Sequence, residues 1–389
     1  MVRLGELGKI ITGNTPATSN PQNYSSNDIC FVKPSDISSD EIRILNSSEY
    51  YVAEFARSNA RILPARSVLV TCIGIIGKVA INAVECAFNQ QINAIIPNEE
   101  KCIPEYLAYA IQHKQPLLQA IANAPVVPII NKSQFSDIEI RIPCLHEQQE
   151  IISNLDSICN LIALRKQQLA KLDELVKSRF IEMFGDLANP TCIWPQIKLA
   201  EACVDPDDIK CGPFGTQLSK DEYKDSGVAV WEIPQINSHF STQPTHYLTE
   251  EKARQLDAYS LKPGDIAMSR KGNVGKCAMF PSTFEAGIIH SDVLRIRVDD
   301  SRVSPLFMMH QLHYSGAVQH QIELVSSGAI MAGINVTKLK QIYVHIPPLE
   351  LQNRFAVFVE QTDKSKLSVQ QSIDQLETLK KSLMQKYFG

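Results

Sequence analysis

The sequence predicts an α+β protein built twice over: two similar globular domains joined and separated by a pair of long antiparallel coiled-coil helices, a pseudo-twofold tandem repeat. Three observations predict this. Residues 130–185 match residues 334–389 without a gap at an offset of 204, with 14 of 56 positions identical and Phe-Gly closing both copies. Each copy carries an apolar seam at heptad spacing, uninterrupted by Gly or Pro from Pro143 to Gly185 and from Pro348 to Gly389. The stretches ahead of the two copies mix short β-rich runs with helical spacing and match each other only loosely.

In chain order, residues 1–145 form the first domain. A strand is expected at Val68-Leu69-Val70-Thr71-Cys72-Ile73 and a proline-led helix from Pro104 to Gln115. Residues 146–185 form a central spacer helix. Residues 186–348 form the second domain, with an alternating strand at Val293–Val298 and a helix from Pro305 to His313. Residues 349–389 form a C-terminal spacer helix. Upstream, Arg3-Leu4-Gly5-Glu6 matches Lys198-Leu199-Ala200-Glu201, and the turn Pro64–Leu69 matches Pro263–Met268. Gly74-Ile75-Ile76-Gly77-Lys78 matches Gly272-Asn273-Val274-Gly275-Lys276. The offset drifts here between 195 and 201, as expected where loops gain and lose residues. A period of about 200 residues is too long for a solenoid and marks a doubled domain.

The seam of the first copy is Ile151, Leu155, Ile158, Ile162, Leu169, Leu172 and Val176, broken by Arg165. That of the second is Phe355, Val359, Val369, Ile373, Leu376 and Leu383, with Thr362, Lys366 and Lys380 as polar members. A helix packed on its own domain gives a similar stripe. Both seams outrun an average helix, which favours pairing of the two tails. Similar units in one chain tend to pack about a pseudo-twofold axis, and that operator sets the helices antiparallel.

Composition narrows the class. The chain has 389 residues, 44% hydrophobic and 21% charged, with a net charge of −4. By region the charge is −1 for 1–145, −1 for 146–185, −3 for 186–348 and +1 for 349–389. With no basic tail, any nucleic-acid surface has to be assembled locally by folding. No apolar run spans a bilayer and the N-terminus lacks a leader-like stretch, so a cytoplasmic chain without membrane contact is expected. The ten cysteines include no Cys-x-x-Cys, and none of the nine His lies at zinc-finger spacing from a Cys pair, so buried reduced thiols are expected.

The helix starts carry the most telling residues. Ile142-Pro143-Cys144-Leu145-His146-Glu147-Gln148 and Ile346-Pro347-Pro348-Leu349-Glu350-Leu351-Gln352, each following a variable domain and leading to the terminal Phe-Gly, resemble specificity subunits of type I restriction–modification systems. The resemblance covers essentially the whole chain. The departures, Cys144 against proline and Leu351 against Glu147, fall on helix-start structure. The resemblance implies two target-recognition domains, each reading one half of a split, asymmetric site on double-stranded DNA. It implies two methyltransferase subunits docked along the spacer helices, and restriction (motor and nuclease) subunits in the full complex. S-adenosylmethionine, for adenine N6 methylation, and ATP and Mg would belong to those partners, with no cofactor and no catalytic residue on this chain.

The motifs agree with a non-catalytic chain. Asn20-Pro21-Gln22 and Asn189-Pro190-Thr191 do not extend to an amino-methyltransferase tetrapeptide. The two Gly-x-x-Gly-Lys loops lack the longer gap and the Ser/Thr of an ATP-binding loop, since Val79 and Cys277 follow the lysines. Instead, Gly74, Gly77 and Lys78, and Arg270, Lys271, Gly272, Gly275 and Lys276, are candidate DNA contacts. Glycine lets backbone amides approach a phosphate, and the lysine neutralises it. A tight turn between strands is the bland alternative. Arg57 and Arg61, crowded with Arg66, are further candidates, as are Lys210, Lys220 and Lys224, although a solvated charged face explains either run. Gln90, with Asn89 and Gln91, offers the paired donor and acceptor that adenine requires, and His290 and Ser291 are further polar candidates. A two-domain coiled-coil scaffold that binds protein partners without DNA is the alternative function.

Overall fold

The computed structural model describes residues 1–122, 127–185, 187, 192–326 and 333–389. The segment Asn189-Pro190-Thr191 lies outside them. The chain forms two compact units, Met1–Gln167 with Gln370–Gly389, and Gln168–Val369.

In the first unit, five strands pair in the order Gly8–Thr12, Ile92–Pro97, Val68–Thr71, Val79–Asn82, Arg43–Leu45. A second sheet orders Tyr50–Val52, Ile29–Val32, Cys86–Phe88, Ile62–Leu63, its middle pair parallel. The other unit repeats the plan. Ile209–Cys211, Val293–Ile296, Ile266–Ser269 and Cys277–Met279 form one sheet. His246–Leu248, Val228–Trp231, Gly287–Ile289 and Ser260–Leu261 form the other, again with a parallel middle pair. The central strands are buried on both faces: all four residues of Val68–Thr71 and all four of Ile266–Ser269 are covered. This is why they read as apolar runs rather than alternating ones. Val68–Thr71 stops before Cys72 and Ile73, and Val293–Ile296 before Arg297 and Val298, because the chain there leaves the ladder for loops.

The duplication extends to backbone detail. Arg66 (φ 66°) donates its N–H to the Asn82 carbonyl, and Gly264 (φ 90°) donates to Phe280. The turn therefore pairs Arg66 with Gly264. This corrects by one residue the match suggested by the two prolines, because the left-handed position, not the proline, holds the register. Helices Pro104–His113 and Pro305–Tyr314 cover the sheets, each led by proline at a position where no intrahelical N–H is needed.

The two spacer helices are Leu145–Phe184 and Leu349–Phe388, 40 residues each. The first ends at Gly185, left-handed at φ 77°, whose N–H returns to the Ile181 carbonyl. Each unit contains parts of both helices, paired antiparallel. In the first unit the Asn154 amide lies 3.2 Å from the Tyr387 hydroxyl, and Lys166 pairs with Glu377 at 3.1 Å. In the second, Lys366 pairs with Asp173 at 2.7 Å, and the Arg179 guanidinium lies 5.7 Å from the Phe358 ring. The seam residues Ile151, Leu155, Ile158 and Ile162 are buried in the first unit, and Val176, Phe355 and Val359 in the second. The polar seam member Lys366 is satisfied by Asp173 and Asp363.

The helix-start glutamines explain the repeated motif. Gln148 is fully buried; its Oε1 accepts from the Ile103 N–H at 2.9 Å, and its Nε2 donates to the Lys101 and Pro143 carbonyls. Gln352, also fully buried, accepts from the Ser304 N–H at 2.8 Å and donates to the Arg302 and Pro347 carbonyls. Each glutamine thus ties the start of a spacer helix to the residue that precedes the proline-led helix of its own unit.

Candidate nucleic-acid interface

Three loops converge in each unit, held by matching hydrogen bonds. The first is the Gly-x-x-Gly-Lys turn. Gly74 and Gly77 have φ of 77° and 83°, and Gly272 and Gly275 have 68° and 81°, the left-handed region where a Cβ is strained. Gly77 donates to the Thr71 carbonyl and Gly275 to that of Ser269, at 2.9 and 3.0 Å. The second loop follows the strand Cys86–Phe88 or Gly287–Ile289. Asn89 Oδ1 accepts from the Gln91 N–H at 3.0 Å, and His290 Nδ1 accepts from the Asp292 N–H at 3.2 Å, two different side chains closing the same turn. The third begins at Gly13 or Gly212. A Cβ on Gly13 would lie 2.0 Å from the Asn89 carbonyl oxygen, and one on Gly212 2.3 Å from that of His290, so only glycine permits the crossing.

These loops are stitched together identically. Cys72 N–H donates to the Gln91 carbonyl at 2.7 Å, and Arg270 N–H to the Asp292 carbonyl at 2.8 Å. The Cys72 carbonyl accepts from Ile130 and the Arg270 carbonyl from Ile334. The side chains on this common frame differ: Cys72 faces Arg270 in the correspondence, Gln91 faces Asp292, and Thr15 falls near the place of Phe214.

The sequence candidates distribute unevenly. Arg61 sits on the third loop, its Nη1 donating to the Thr12 carbonyl and its N–H to Asn14 Oδ1. Gln90 joins the same loop, accepting from the Thr15 hydroxyl at 2.6 Å. Arg57 is instead held by Glu85 at 2.7 Å and by Glu54, hydrogen bonds that push its pKa up. Lys271 pairs with Asp292 at 2.8 Å. Lys78 Nζ donates to the Ile37 carbonyl at 3.1 Å, and Lys276 Nζ to the Asn237 carbonyl at 2.9 Å, so both lysines brace their turns against a neighbouring segment. Lys276 also lines a cleft of about 430 Å³ with His239, His310 and His313. There, burial lowers the His310 pKa to about 3 and holds the ring neutral. Asn89 is 7% exposed and spends its side chain on the turn.

Asn14, Thr15, Phe214 and Asp292 also stand on these loops, although no motif in the sequence marks them. The signal for the third loop is the recurrence of glycine at 13 and 212 after matching strands. Among the described residues no cluster of His, Cys, Asp or Glu could hold a metal ion, and no helix is long and apolar enough to cross a membrane.

Comparison with known proteins follows the duplication. The HindI specificity subunit of Haemophilus influenzae is 32% identical over 145 residues, 37% of this chain and 31% of that protein. The MjaIX specificity subunit of Methanocaldococcus jannaschii is 29% identical over 188 residues, 47% of this chain and 43% of that protein. The matched part of the chain thus spans less than half the length of either relative. The S subunit of a type I restriction–modification system from M. genitalium shares the fold, with a TM-score of 0.57 at 13% identity over 100% of this chain and 95% of that one. A chain from a structure of type I R-M complex assembly gives a TM-score of 0.63 at 19% identity over 99% of this chain and 96% of that one. The model of the type I restriction modification DNA specificity domain matches twice, at residues 1–174 and 213–378, and the chain belongs to that family.

Proposed function

We propose that this chain is the non-catalytic, DNA-sequence-reading subunit of a type I restriction–modification complex. Each duplicated domain reads one half of a bipartite, asymmetric duplex site. The observation that carries the reading is the loop frame present twice: the same backbone bonds and left-handed glycines support different side chains, as expected of one scaffold aimed at two sequences. Two methyltransferase subunits dock along the spacer helices, and restriction subunits join them. S-adenosylmethionine, ATP and Mg act on those partners.

Lys78 and Lys276 are the proposed phosphate contacts. One ammonium hydrogen on a carbonyl fixes each group and leaves two donors for DNA. Lys78→Ala and Lys276→Ala should each weaken binding to all sequences alike and lower the slope of log affinity against log salt by about one. Anisotropy titration of labelled duplex at several salt concentrations measures this, and an unchanged slope would leave the lysines as braces only.

The experiment that tests the function is a domain exchange. Residues 1–141 are replaced by the first domain of a relative, and the chain is expressed with its methyltransferase partner. Sequencing of methylated sites should show one half-site changed and the other retained. Changes in both halves, or no methylation by the unexchanged pair, would overturn the reading.

A further inference from the structure

We infer that the second domain reads a guanine through Arg270, and that the first domain has no equivalent reader at the matching place. The inference rests on the DNA-reading function proposed above and adds the base and the residue. Arg270 and Cys72 occupy the same node of the loop frame, their N–H and carbonyl bonded to corresponding partners. Cys72 is 2% exposed, a buried thiol that offers DNA nothing. Arg270 is half-buried and oriented: Nε donates to the Ile334 carbonyl at 3.1 Å and Nη1 to the Ser291 carbonyl at 3.4 Å. Its guanidinium lies 5.4 Å from the ring of Phe214, itself 50% exposed.

Among the described residues no carboxylate pairs with Arg270. The nearby Asp292 is taken by Lys271 at 2.8 Å. The structural arginine Arg297, by contrast, is held by Asp265 through two bonds of 2.7 Å. With Nε and one Nη1 hydrogen used, both Nη2 hydrogens and one on Nη1 remain, so two N–H groups are left to meet O6 and N7 of guanine in the major groove. A phosphate contact would be required alike in both domains, and lysines 78 and 276 recur for that purpose. The residue that differs on a common frame is the one suited to telling sequences apart.

The test uses the full chain expressed with its methyltransferase partner, as wild type, Arg270→Ala, Arg270→Lys and Phe214→Ala, with methylated sites sequenced. In Arg270→Ala one position of the second half-site should lose its demand for guanine, discrimination falling roughly ten- to a hundredfold, with the first half-site unchanged. Lysine, which keeps the charge but not the fork, should not restore it, and Phe214→Ala should relax the same position to a smaller degree. If Arg270→Ala abolishes methylation altogether, the other two variants carry the test. Uniformly slower methylation with an intact motif, restoration by lysine, or relaxation in the half-site assigned to residues 1–141 would each overturn the inference. Absence of methylation by the wild-type pair would instead overturn the function on which it rests.

Discussion

Replacing Phe180 with alanine should destabilise the Gln168–Val369 unit by about 3–5 kcal/mol, the cost of removing a buried aromatic ring that its neighbours cannot replace. Phe180 is 2% exposed and lies within 6.0 Å, centroid to centroid, of Phe184, Phe307, Tyr314 and Phe355. These rings come from both spacer helices and from the helix Pro305–Tyr314, so one ring joins three elements, with edge contacts favoured by aromatic quadrupoles. Urea denaturation of wild type and variant measures the loss. Leu175→Ala, on the same helix but 47% exposed, should change stability by less than about 0.5 kcal/mol. Equal effects of the two substitutions would remove Phe180 from the core.

The buried glutamines should be nearly as costly to lose. Gln148→Leu leaves the Ile103 N–H and the Lys101 and Pro143 carbonyls without the partner that the fully buried Gln148 side chain supplies. Each stranded polar group costs about 1–3 kcal/mol, so a loss of about 2–4 kcal/mol is expected after some relaxation. Gln352→Leu should do the same through Ser304, Arg302 and Pro347. Hydrogen exchange localises each effect: Gln148→Leu should raise exchange at Ile103 with Ser304 still protected, and Gln352→Leu the reverse. Unchanged protection at both amides would show that the glutamines do not hold these helix starts.

Much of the architecture was legible because the strongest signals were long. A gapless 56-residue match and two heptad seams define the spacer helices, since an apolar stripe over 40 residues has no other economical use. The second sheet of each unit was not legible. Its strands, such as Ile62–Leu63 and Ser260–Leu261, are two to four residues long and show no alternation to read. The candidate site was half legible. Gly-x-x-Gly-Lys marks a true repeated loop, but a lysine bonded to a carbonyl and one exposed to DNA have the same sequence. Arg57 and Arg61, four residues apart, differ in the acceptors that folding brings, the Glu85 carboxylate for one and the Thr12 carbonyl for the other. Cys72 and Arg270 correspond by position, two residues ahead of the matched glycines, but only the hydrogen bonds show that they occupy one node of the same frame.

The arrangement of the spacer helices has a consequence for how the chain is made. Met384 and Phe388 belong to the core of the first unit, where the Phe388 ring lies 5.2 Å from that of Tyr106. A chain emerging from the ribosome has therefore completed both sheets of the first unit, and all of the second unit, before the last apolar residues of the first arrive. Until then the faces of Tyr106, Ile151 and Leu155 wait uncovered, a contact separated by more than 280 residues of sequence. The unit that is translated first is the one that closes last, and its exposure to aggregation lasts as long as the synthesis of everything behind it.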